Sequence, residues 1–478
     1  MAISTKIDVS SNFYNVVNGQ LTQSDQTRHG INPATGEPNP EVPVSTEKHV
    51  DDAVIAARQA FKTWAKTPWD VRKQAILAFA DGLEAHLEDF AKMLTQEQGK
   101  PYPSALLEIS TGVRFIRSLA KLELKQEIVE ENDQEKVVVR YTPLGVAVGI
   151  VPWNFPVHLA CGKIAPALLT GNPIIIKPSP FTPYCGLKLG ELGLQFFPPG
   201  VFQVLSGDDN LGPWLTAHPG VAKITFTGST FTGKKIMESA SKTLKRITLE
   251  LGGKDPAIIC KNVDIPSTAA KVAMLSFYNS GQTCVAIKRI YVHESIYEEF
   301  REALVAHTRT LKVGAGMEEG VLLGPVQNAM QYERVKSFFS DIGKENWSVA
   351  LGGKIEQDKP GYFITPTIID KPADDSRIVT EEPFGPILPL LTWSDEDEVI
   401  ARANDTLMGL GASVWSDDLE EANRIAEQLE AGSVWINSHV KLDPNAPFGG
   451  HKESGIGYEW GAGGLRSFCN TQTLYLKK

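Results

Sequence analysis

Cysteine is scarce in this chain, with five in 478 residues, at positions 161, 185, 260, 284 and 469. A sparse and odd-numbered set is not the disulfide framework of a secreted protein, so we expect a reducing compartment, the cytoplasm. The N-terminus also lacks an apolar stretch behind a basic start, and no uninterrupted apolar run approaches membrane-spanning length. We therefore predict neither a leader segment nor an association with membranes.

An excess of positive charge is absent as well, because the formal net charge is −10 at pH 7. This balance argues against nucleic acid or an anionic membrane as a general partner. An anionic cofactor would therefore need a local cationic site, formed by a lysine and by backbone N–H groups. No metal site is predicted.

The overall composition is that of a globular protein, with 42% hydrophobic and 22% charged residues. Because 478 residues are too many for one hydrophobic core, we expect at least two domains. After an irregular first segment, apolar residues recur at helical spacing over residues 50–66, 71–96 and 106–119. Further along, strand-like runs alternate with helical stretches, beginning at residues 174–177. The alternation predicts the α/β class, with two doubly wound parallel-sheet domains.

Two segments have strand propensity outside this alternation. Residues 137–141 follow an acid-rich stretch and precede a second strand-like run at 144–151, so the pair predicts a protruding hairpin. Residues 471–476 are also strand-like, and nothing after them is long enough to pair with them. We expect these residues to form a small separate sheet with the hairpin, or to extend the sheet edge of a partner subunit.

No Gly-x-Gly-x-x-Gly sequence follows a predicted strand, so the usual dinucleotide fingerprint is missing. Residues 226–233 (FTGSTFTG) do follow one and directly precede a helix. Free N–H groups at a helix N-terminus favour a phosphate, although a Ser or Thr helix cap explains the same sequence when it occurs alone. The phosphate interpretation gains weight because Lys177 ends a strand two strand units earlier, where an adenosine ribose would lie.

Three residues in separate segments together propose covalent thiol catalysis: Cys284 in a glycine-containing loop, Glu250 before a Gly-Gly turn, and Asn154 between prolines. A thiolate adds to an electron-poor carbon, an amide NH₂ holds the resulting oxyanion, and a carboxylate activates water. Each residue also has a structural explanation, as a small buried apolar group, a strand-end carboxylate and a turn former. The combination favours catalysis.

The order of these segments resembles the aldehyde dehydrogenase superfamily over essentially the whole chain. The matching segments are residues 152–156 (PWNFP), 177–179 (KPS), 226–230 (FTGST), 249–254 (LELGGK), 281–284 (GQTC), 382–386 (EPFGP) and 447–455 (PFGGHKESG). The resemblance implies that Cys284 is the nucleophile, Glu250 the general base and Asn154 the oxyanion donor, with Lys163 supporting the site. It implies a cofactor site formed by Trp153, Lys177, Ser179, Pro180, Gly228, Ser229, Gly252, Glu382 and Phe384.

Domains follow from the same resemblance. Residues 1–122 and 144–251 would form the dinucleotide-binding domain, and residues 252–465 the catalytic domain. Residues 123–143 and 466–478 would form an oligomerisation element, which predicts a homodimer or homotetramer.

Two departures from the family pattern concern the cofactor and the proton path. Many NAD-preferring members carry Glu where this chain has Pro180, so we expect NAD to bind and NADP to be accepted as well. No Arg is evident nearby to clamp a 2′-phosphate, which favours NAD. Many members also have a second acid near the C-terminus; Ala462 stands where we expect it, and Glu459 is displaced in register.

The predicted reaction is oxidation of an aldehyde to a carboxylic acid with NAD(P)+, through a cysteine hemithioacetal and a thioester. The alternatives are a CoA-acylating (semi)aldehyde dehydrogenase, or a catalytically silent family member with a structural or binding role. Family alignment places the substrate pocket at Val157, Leu159, Gly162, Tyr278, Thr283 and Leu442. Gly162 replaces a bulky aromatic residue of many members, which predicts a wide tunnel, and the lack of a cation favours aromatic or medium aliphatic aldehydes.

Overall fold

The computed structural model describes residues 6–355 and 360–478. Residues 1–5, part of the stretch on which the prediction about a leader segment depends, lie outside the described residues. The first segment contains short strands and then helices. These are β1 (Asn15–Val17), β2 (Gln20–Thr22), β3 (Thr27–Ile31), β4 (Pro38–Pro43), α1 (Glu47–Trp64), α2 (Trp69–Ala85), α3 (Leu87–Gln98) and α4 (Tyr102–Leu119).

The helix predicted over residues 71–96 is in fact two helices, separated at His86. The backbone of His86 has φ −110° and ψ 18°, outside the helical range. Its ring bonds to the carbonyl of Gly82 at 2.9 Å and accepts the N–H of Ile7 at 3.0 Å. Apolar periodicity continues across the break, so the pattern could not reveal it.

The middle of the chain alternates strands and helices as predicted from residue 174 onward. Its elements are β5 (Glu127–Glu131), β6 (Glu135–Pro143), β7 (Ala147–Ile150), α5 (Pro156–Leu169), β8 (Ile174–Lys177), α6 (Tyr184–Gly193), β9 (Phe202–Val204), α7 (Leu211–Ala217), β10 (Lys223–Thr227), α8 (Thr230–Ser241) and β11 (Arg246–Glu250).

The remainder forms a second series of strands and helices. Its elements are β12 (Pro256–Ile259), α9 (Ile265–Phe277), β13 (Arg289–His293), α10 (Tyr297–Arg309), α11 (Ala329–Lys344), β14 (Ser348–Leu351), β15 (Thr367–Asp370), α12 (Arg377–Thr380), β16 (Ile387–Trp393), α13 (Glu396–Asn404), β17 (Met408–Gly409), β18 (Gly411–Trp415), α14 (Leu419–Ala426), β19 (Ser433–Ile436), β20 (His451–Lys452), β21 (Gly455–Ile456), α15 (Gly461–Arg466) and β22 (Cys469–Lys477). Among the elements that the sequence did not predict are α11, β14 and β15.

The first large sheet has eight strands in the order β2-β1-β9-β8-β7-β10-β11-β21. Strands β9, β8, β7, β10 and β11 run parallel, while β1 and β21 pair antiparallel at the two sides. The chain passes from β7 to β8 and β9 on one side, then returns to β10 and β11 on the other. Such a reversal opens a crevice at the carboxyl ends of the central strands, where ligands of doubly wound folds bind.

The second large sheet has seven strands in the order β14-β15-β16-β13-β12-β18-β19. All its pairings are parallel except that of β14 with β15. Two doubly wound sheets therefore confirm the predicted α/β class. Among residues 6–355 and 360–478, none of the helices combines the length and the apolar character that crossing a bilayer requires.

A separate sheet of three strands has the order β22-β6-β5. Strand β22 pairs antiparallel with the full length of β6, from Cys469 opposite Pro143 to Lys477 opposite Glu135. The predicted hairpin between residues 137–141 and 144–151 is therefore wrong, because β6 pairs with β5 and β22 whereas β7 lies inside the first large sheet. The C-terminal strand joins a small separate sheet, which was one of the two arrangements expected for residues 471–476.

Helix α5 is the most deeply enclosed helix near the crevice, because all of its residues are buried. It packs against α4 and lies behind β7 and β8. Its N-terminal N–H groups, those of Val157 and His158, donate to the buried carboxylate of Glu108 at 2.9 and 3.2 Å. The helix therefore presents Lys163 to the sheet from a fixed position.

Candidate active site

A deep cleft, with a volume of about 2040 Å³, runs along the carboxyl ends of β7, β8, β10 and β11. It brings together every residue predicted to bind the cofactor and all but one of those predicted to act in catalysis. The predicted residues that line it are Trp153, Asn154, Lys177, Ser179, Pro180, Gly228, Ser229, Glu250, Gly252, Cys284, Glu382 and Phe384. Lys163 lies behind the wall of the cleft.

Cys284 lies in a tight turn between α9 and β13. The backbones of Asn279 and Ser280 adopt positive φ angles of 52° and 57°, and Gly281 follows at 73°. The hydroxyl of Ser280 donates to the carbonyl of Gly324 at 2.7 Å, which fixes the turn. Burial raises the pKa of the half-buried Cys284 thiol well above its ordinary value; the Glu250 carboxylate raises it further and Lys288 opposes the shift.

Asn154 is tied directly to the nucleophile turn. Its amide nitrogen donates to the carbonyl of Gln282 at 3.0 Å, and its side-chain oxygen has no partner among the described residues. Its backbone carbonyl accepts from the buried ammonium of Lys100 at 2.9 Å, and Lys100 forms an ion pair with Glu108. The second amide hydrogen of Asn154 therefore stays available beside Cys284.

Glu250 ends β11 with a carboxylate that is almost fully enclosed, at 2% exposure. Neither carboxylate oxygen has a hydrogen-bonding partner among the described residues. Burial raises its pKa to about 8, the charge of Glu459 adds to the rise, and the Cys284 thiol offsets part of it. A carboxyl group with a pKa near neutral is suited to general base catalysis.

Lys163 and Glu459 form a buried ion pair behind Glu250. The ammonium also donates to the hydroxyl of Thr227 at 2.8 Å, and the hydroxyl of Thr225 donates to Glu459 at 2.9 Å. Ala462, where we looked for the second acid, is exposed on α15, whereas Glu459 is buried beside Lys163. Glu459, and not residue 462, is therefore the acid whose charge acts on Glu250.

Glu382 occupies a narrow position above the Gly-Gly turn. It accepts the N–H of Gly253 at 3.2 Å and forms an ion pair with Lys288 at 3.0 Å. A Cβ at Gly252 would lie 2.5 Å from its other oxygen, so a side chain there would displace the Glu382 carboxylate. Beside it, the rings of Phe384 and Trp153 meet edge to face at 5.4 Å. Lys288 was not predicted, because nothing in the sequence near Cys284 indicates a contact with Glu382.

Ser229 caps α8 at the middle of the cleft. Its hydroxyl accepts the N–H of Thr232 at 3.2 Å, so the structural explanation of this motif holds. The start of α8 nevertheless lines the cleft, and its N-terminus favours an anion. Both interpretations of the motif therefore apply at once.

Lys177 lies at the far end of the cleft from Cys284, with its side chain buried and its ammonium donating to the carbonyl of Pro178 at 3.1 Å. Burial lowers its pKa to about 8, while Asp209 and Asp208 oppose the shift and Arg28 adds to it. Arg28 donates to the carbonyl of Gly207 at 3.3 Å and is not among the residues that line the cleft, so the expectation that no Arg clamps a 2′-phosphate stays a prediction. Arg28 comes from β3, far away in sequence, so inspection of the region around Lys177 could not find it.

The predicted substrate residues do not line this cleft. Val157, Leu159, Gly162 and Thr283 are buried, whereas Tyr278 and Leu442 are half-buried. Tyr278 stacks on Phe155 with ring centres 6.0 Å apart. The space beside Gly162 is filled, because a Cβ there would lie 2.6 Å from the indole nitrogen of Trp460. The wide tunnel predicted at Gly162 is therefore wrong: Trp460 occupies the space, stacked on Phe448 at 4.9 Å.

Comparison with known proteins agrees with this geometry. The sequence model of the aldehyde dehydrogenase family matches residues 21–474. The chain is 41% identical to the aldehyde dehydrogenase LUC3 from a Fusarium species, over 98% of this chain and 99% of that protein. It is 37% identical to a phenylacetaldehyde dehydrogenase from Pseudomonas fluorescens, over 95% of this chain and 93% of that protein.

Solved structures give the same result. An NAD+ complex of aldehyde dehydrogenase from Bacillus cereus superposes with a TM-score of 0.95 at 35% identity, over 98% of this chain and 97% of that one. Betaine aldehyde dehydrogenase from Staphylococcus aureus, in complex with NAD+, has a TM-score of 0.94 at 32% identity, over 97% of this chain and 95% of that one.

Proposed function

Because this chain belongs to the aldehyde dehydrogenase family and is an NAD-dependent aldehyde dehydrogenase, we propose that it works through a covalent thioester on Cys284. The observation that supports this most is the meeting of Cys284, Glu250 and Asn154 at one end of the cleft. These residues come from three distant segments. Each has the functional group that one step of thiol catalysis requires.

The first step is addition of the Cys284 thiolate to the aldehyde carbon, which forms a C–S bond and places negative charge on the carbonyl oxygen. The free amide hydrogen of Asn154 and the backbone N–H of Cys284 are the donors for this oxyanion. The carbonyl of Gln282 holds the Asn154 amide, so this donor is oriented before substrate arrives. Charge that develops in the transition state then meets dipoles that need no reorganisation.

The cleft residues fit a dinucleotide. The N-terminus of α8 and the Lys177 ammonium suit its phosphates and adenosine, and Glu382 suits hydroxyl groups of a ribose. NAD+ held there would supply a hydride acceptor for the hemithioacetal on Cys284, and loss of that hydride would leave a thioester.

Release of the acid requires a base next to the thioester, and we assign this role to Glu250. With a pKa of about 8, Glu250 takes a proton from water, and the hydroxide formed attacks the thioester carbon. The C–S bond breaks and the thiolate of Cys284 returns. Behind Glu250, the pair formed by Lys163 and Glu459 offers a path for the proton, because the second oxygen of Glu459 has no partner in the described part of the chain.

One assay tests this proposal against its alternatives. Formation of NADH is followed with a panel of aldehydes, with and without CoA, and the products are identified. We expect carboxylic acid and no stimulation by CoA, because Glu250 is present to activate water. Formation of an acyl-CoA would instead support the CoA-acylating alternative, and no turnover with any aldehyde would support a silent family member.

The role of Cys284 is tested by Cys284→Ala, with Cys469→Ala as the matched control at another half-buried thiol. We expect Cys284→Ala to abolish NADH formation and to leave NAD+ binding, measured by calorimetry, intact. The control should keep full activity. Turnover by the Cys284→Ala enzyme would remove Cys284 from its proposed role.

Aromatic or medium aliphatic aldehydes are the proposed substrates. Partly buried apolar side chains, those of Phe155, Trp435, Val440 and Leu442, pack against the same hydrophobic core as Cys284. The similarity to a phenylacetaldehyde dehydrogenase agrees with this proposal. In the aldehyde panel we expect phenylacetaldehyde and hexanal to exceed succinic semialdehyde in kcat/KM, and the reverse order would contradict it.

A homodimer or homotetramer is proposed as the active form. The three-stranded sheet carries exposed apolar side chains on β5 and β22, those of Ile128, Val129, Tyr475 and Leu476. A second copy would cover them. Sedimentation of an active monomer at micromolar concentration would contradict this. The cytoplasm remains the proposed compartment, since all five cysteines are unpaired.

A further inference from the structure

Lys288 contacts both the backbone of Cys284 and the carboxylate of Glu382, which lines the cofactor cleft. It lies in the turn before β13, and its side chain is 6% exposed. Its ammonium donates to the backbone carbonyls of Thr283, at 2.8 Å, and of Cys284 itself. The same ammonium pairs with Glu382 at 3.0 Å. One cation therefore bridges the backbone of the nucleophile and the carboxylate at the cofactor cleft.

The position of the Glu382 carboxylate is set by backbone. The N–H of Gly253 donates to one oxygen, and the absent side chain of Gly252 leaves room for the other. The carboxylate can therefore meet Lys288 on one side while it faces the cleft on the other. Any hydrogen-bond donor that enters the cleft at Glu382 competes with Lys288 for its charge.

More negative than positive groups act on the Cys284 thiol. Glu250, from β11, and Asp255, from the segment before β12, both disfavour the thiolate, whereas Lys288 favours it. Farther back, Glu250 faces the Lys163–Glu459 pair, and Asp255 faces the buried ring of His439 at 3.6 Å. Lys288 is thus the nearby cation that stabilises a negative charge on sulfur, and Glu382 cancels part of its effect.

We infer that Lys288 is a positioning residue that couples occupancy of the cofactor site at Glu382 to the reactivity of the Cys284 thiol. Ribose hydroxyls that donate hydrogen bonds to Glu382 weaken the interaction of its carboxylate with the Lys288 ammonium. The ammonium then acts more fully on Cys284, so the nucleophile becomes reactive when the cleft is filled. This inference rests on the proposed function of Cys284.

The test measures the thiol directly, without turnover. The rate of alkylation of Cys284 by iodoacetamide is followed against pH, with the modified Cys284 peptide quantified by mass spectrometry. We expect Lys288→Met to move the midpoint of the profile up by at least about one pH unit, because a nearby opposite charge shifts a pKa by roughly that much. Glu382→Gln should move it down. Lys288→Arg should restore most of the wild-type profile.

Two further measurements distinguish coupling through Lys288 from a purely structural role of this residue. Lys188→Met removes another buried lysine that pairs with a glutamate, at 2% exposure, and should leave the profile unchanged. ADP-ribose fills the ribose site without the positive charge of a nicotinamide ring. It should lower the midpoint in wild type and have no effect in Lys288→Met.

An unchanged midpoint in Glu382→Gln, or an ADP-ribose effect that survives in Lys288→Met, would overturn the coupling. The Glu382→Gln arm decides by itself if Lys288→Met fails to fold. Failure of the proposed function is a separate result, since it would appear as aldehyde oxidation by the Cys284→Ala enzyme.

Discussion

Lys163 on α5 and Glu459, 296 positions later in the chain, form a buried ion pair behind the predicted general base. The pair is held by hydroxyl groups of Thr225 and Thr227 on β10, so each charge has more than one partner. Removal of one member of such a pair leaves an uncompensated charge in the interior, at a cost of about 3–5 kcal/mol. The pair therefore connects the proton path of the proposed reaction to the stability of the fold.

Glu459→Gln tests the proton path. We expect kcat to fall about 10-fold or more, because proton transfer by a positioned group contributes at least that much. The first turnover, measured as a burst of NADH, should persist. Glu430→Gln, at an exposed acid that pairs with Lys452, is the matched control and should be neutral. Equal kcat in the Glu459→Gln enzyme would exclude Glu459 from the path.

Glu250→Gln tests the assignment of the base to thioester hydrolysis. Pre-steady-state kinetics should show a burst of NADH close to one equivalent per active site, followed by slow turnover, since hydride transfer precedes the step that needs the base. Loss of the burst together with turnover would mean that Glu250 also activates the Cys284 thiol.

The same substitution predicts a pH dependence of stability. The pKa of Glu250 is about 8 in the folded protein and near 4.5 when unfolded, so between these values the folded state binds more protons. Stability of the wild type therefore falls as pH rises through this window, and above about pH 8 the loss is complete. Glu250→Gln lacks this loss. We expect the Tm of the variant to match wild type near pH 5 and to exceed it increasingly toward pH 8.5; a constant difference would contradict the raised pKa.

Pro180→Glu tests cofactor discrimination. A carboxylate at this position would accept hydrogen bonds from ribose hydroxyls and repel a 2′-phosphate, whereas Pro180 does neither. A hydrogen bond to a charged group contributes about 1.5–3 kcal/mol, so the ratio of kcat/KM for NAD to that for NADP should rise about tenfold or more. Pro198→Glu, at an exposed proline outside the cleft, is the control for the added charge. An unchanged ratio in Pro180→Glu would mean that residue 180 does not face the adenosine ribose.

The charges already present at that end of the cleft bear on the same question. Asp208 and Asp209 line the cleft and oppose a phosphate, whereas Arg28 acts on Lys177 from outside the lining. Asp209→Asn should therefore raise NADP use relative to NAD, in the opposite direction to Pro180→Glu. These two variants together measure how far the local charges compensate for the missing glutamate.

The parallel strands near the site were predictable because their β-branched runs are continuous and lie between turns. Strand β8 has the bounds expected from sequence. The meeting of Cys284 and Glu250 in one cleft was also predictable, since both residues lie in short motifs of the family that the sequence resembles. Local pattern and local chemistry agree in these segments, which is the condition under which sequence determines structure most directly.

What sequence could not predict are contacts between distant segments. Glu459 reaches Lys163, the charge of Arg28 acts on Lys177, and Trp460 fills the space beside Gly162. Each depends on tertiary packing that brings two elements together. We expected the small residue Gly162 to leave open space. The large side chain of Trp460, from another segment, occupies that space. What a core conserves is the total volume of the side chains from all the elements that pack there. The volume at a single position can change if another element compensates for it.

Strand β21 pairs with β11 at the site itself, with Gly455 opposite Glu250 and Ile456 opposite Leu249. The first large sheet is therefore completed at this edge by a strand that follows every strand of the second large sheet in the chain. While the chain is being synthesised, the edge of β11 beside Glu250 stays open until that segment has emerged. N-terminal parts of many proteins fold as they leave the ribosome. Here the wall of the cleft at Glu250 can close only after the second large sheet has been made.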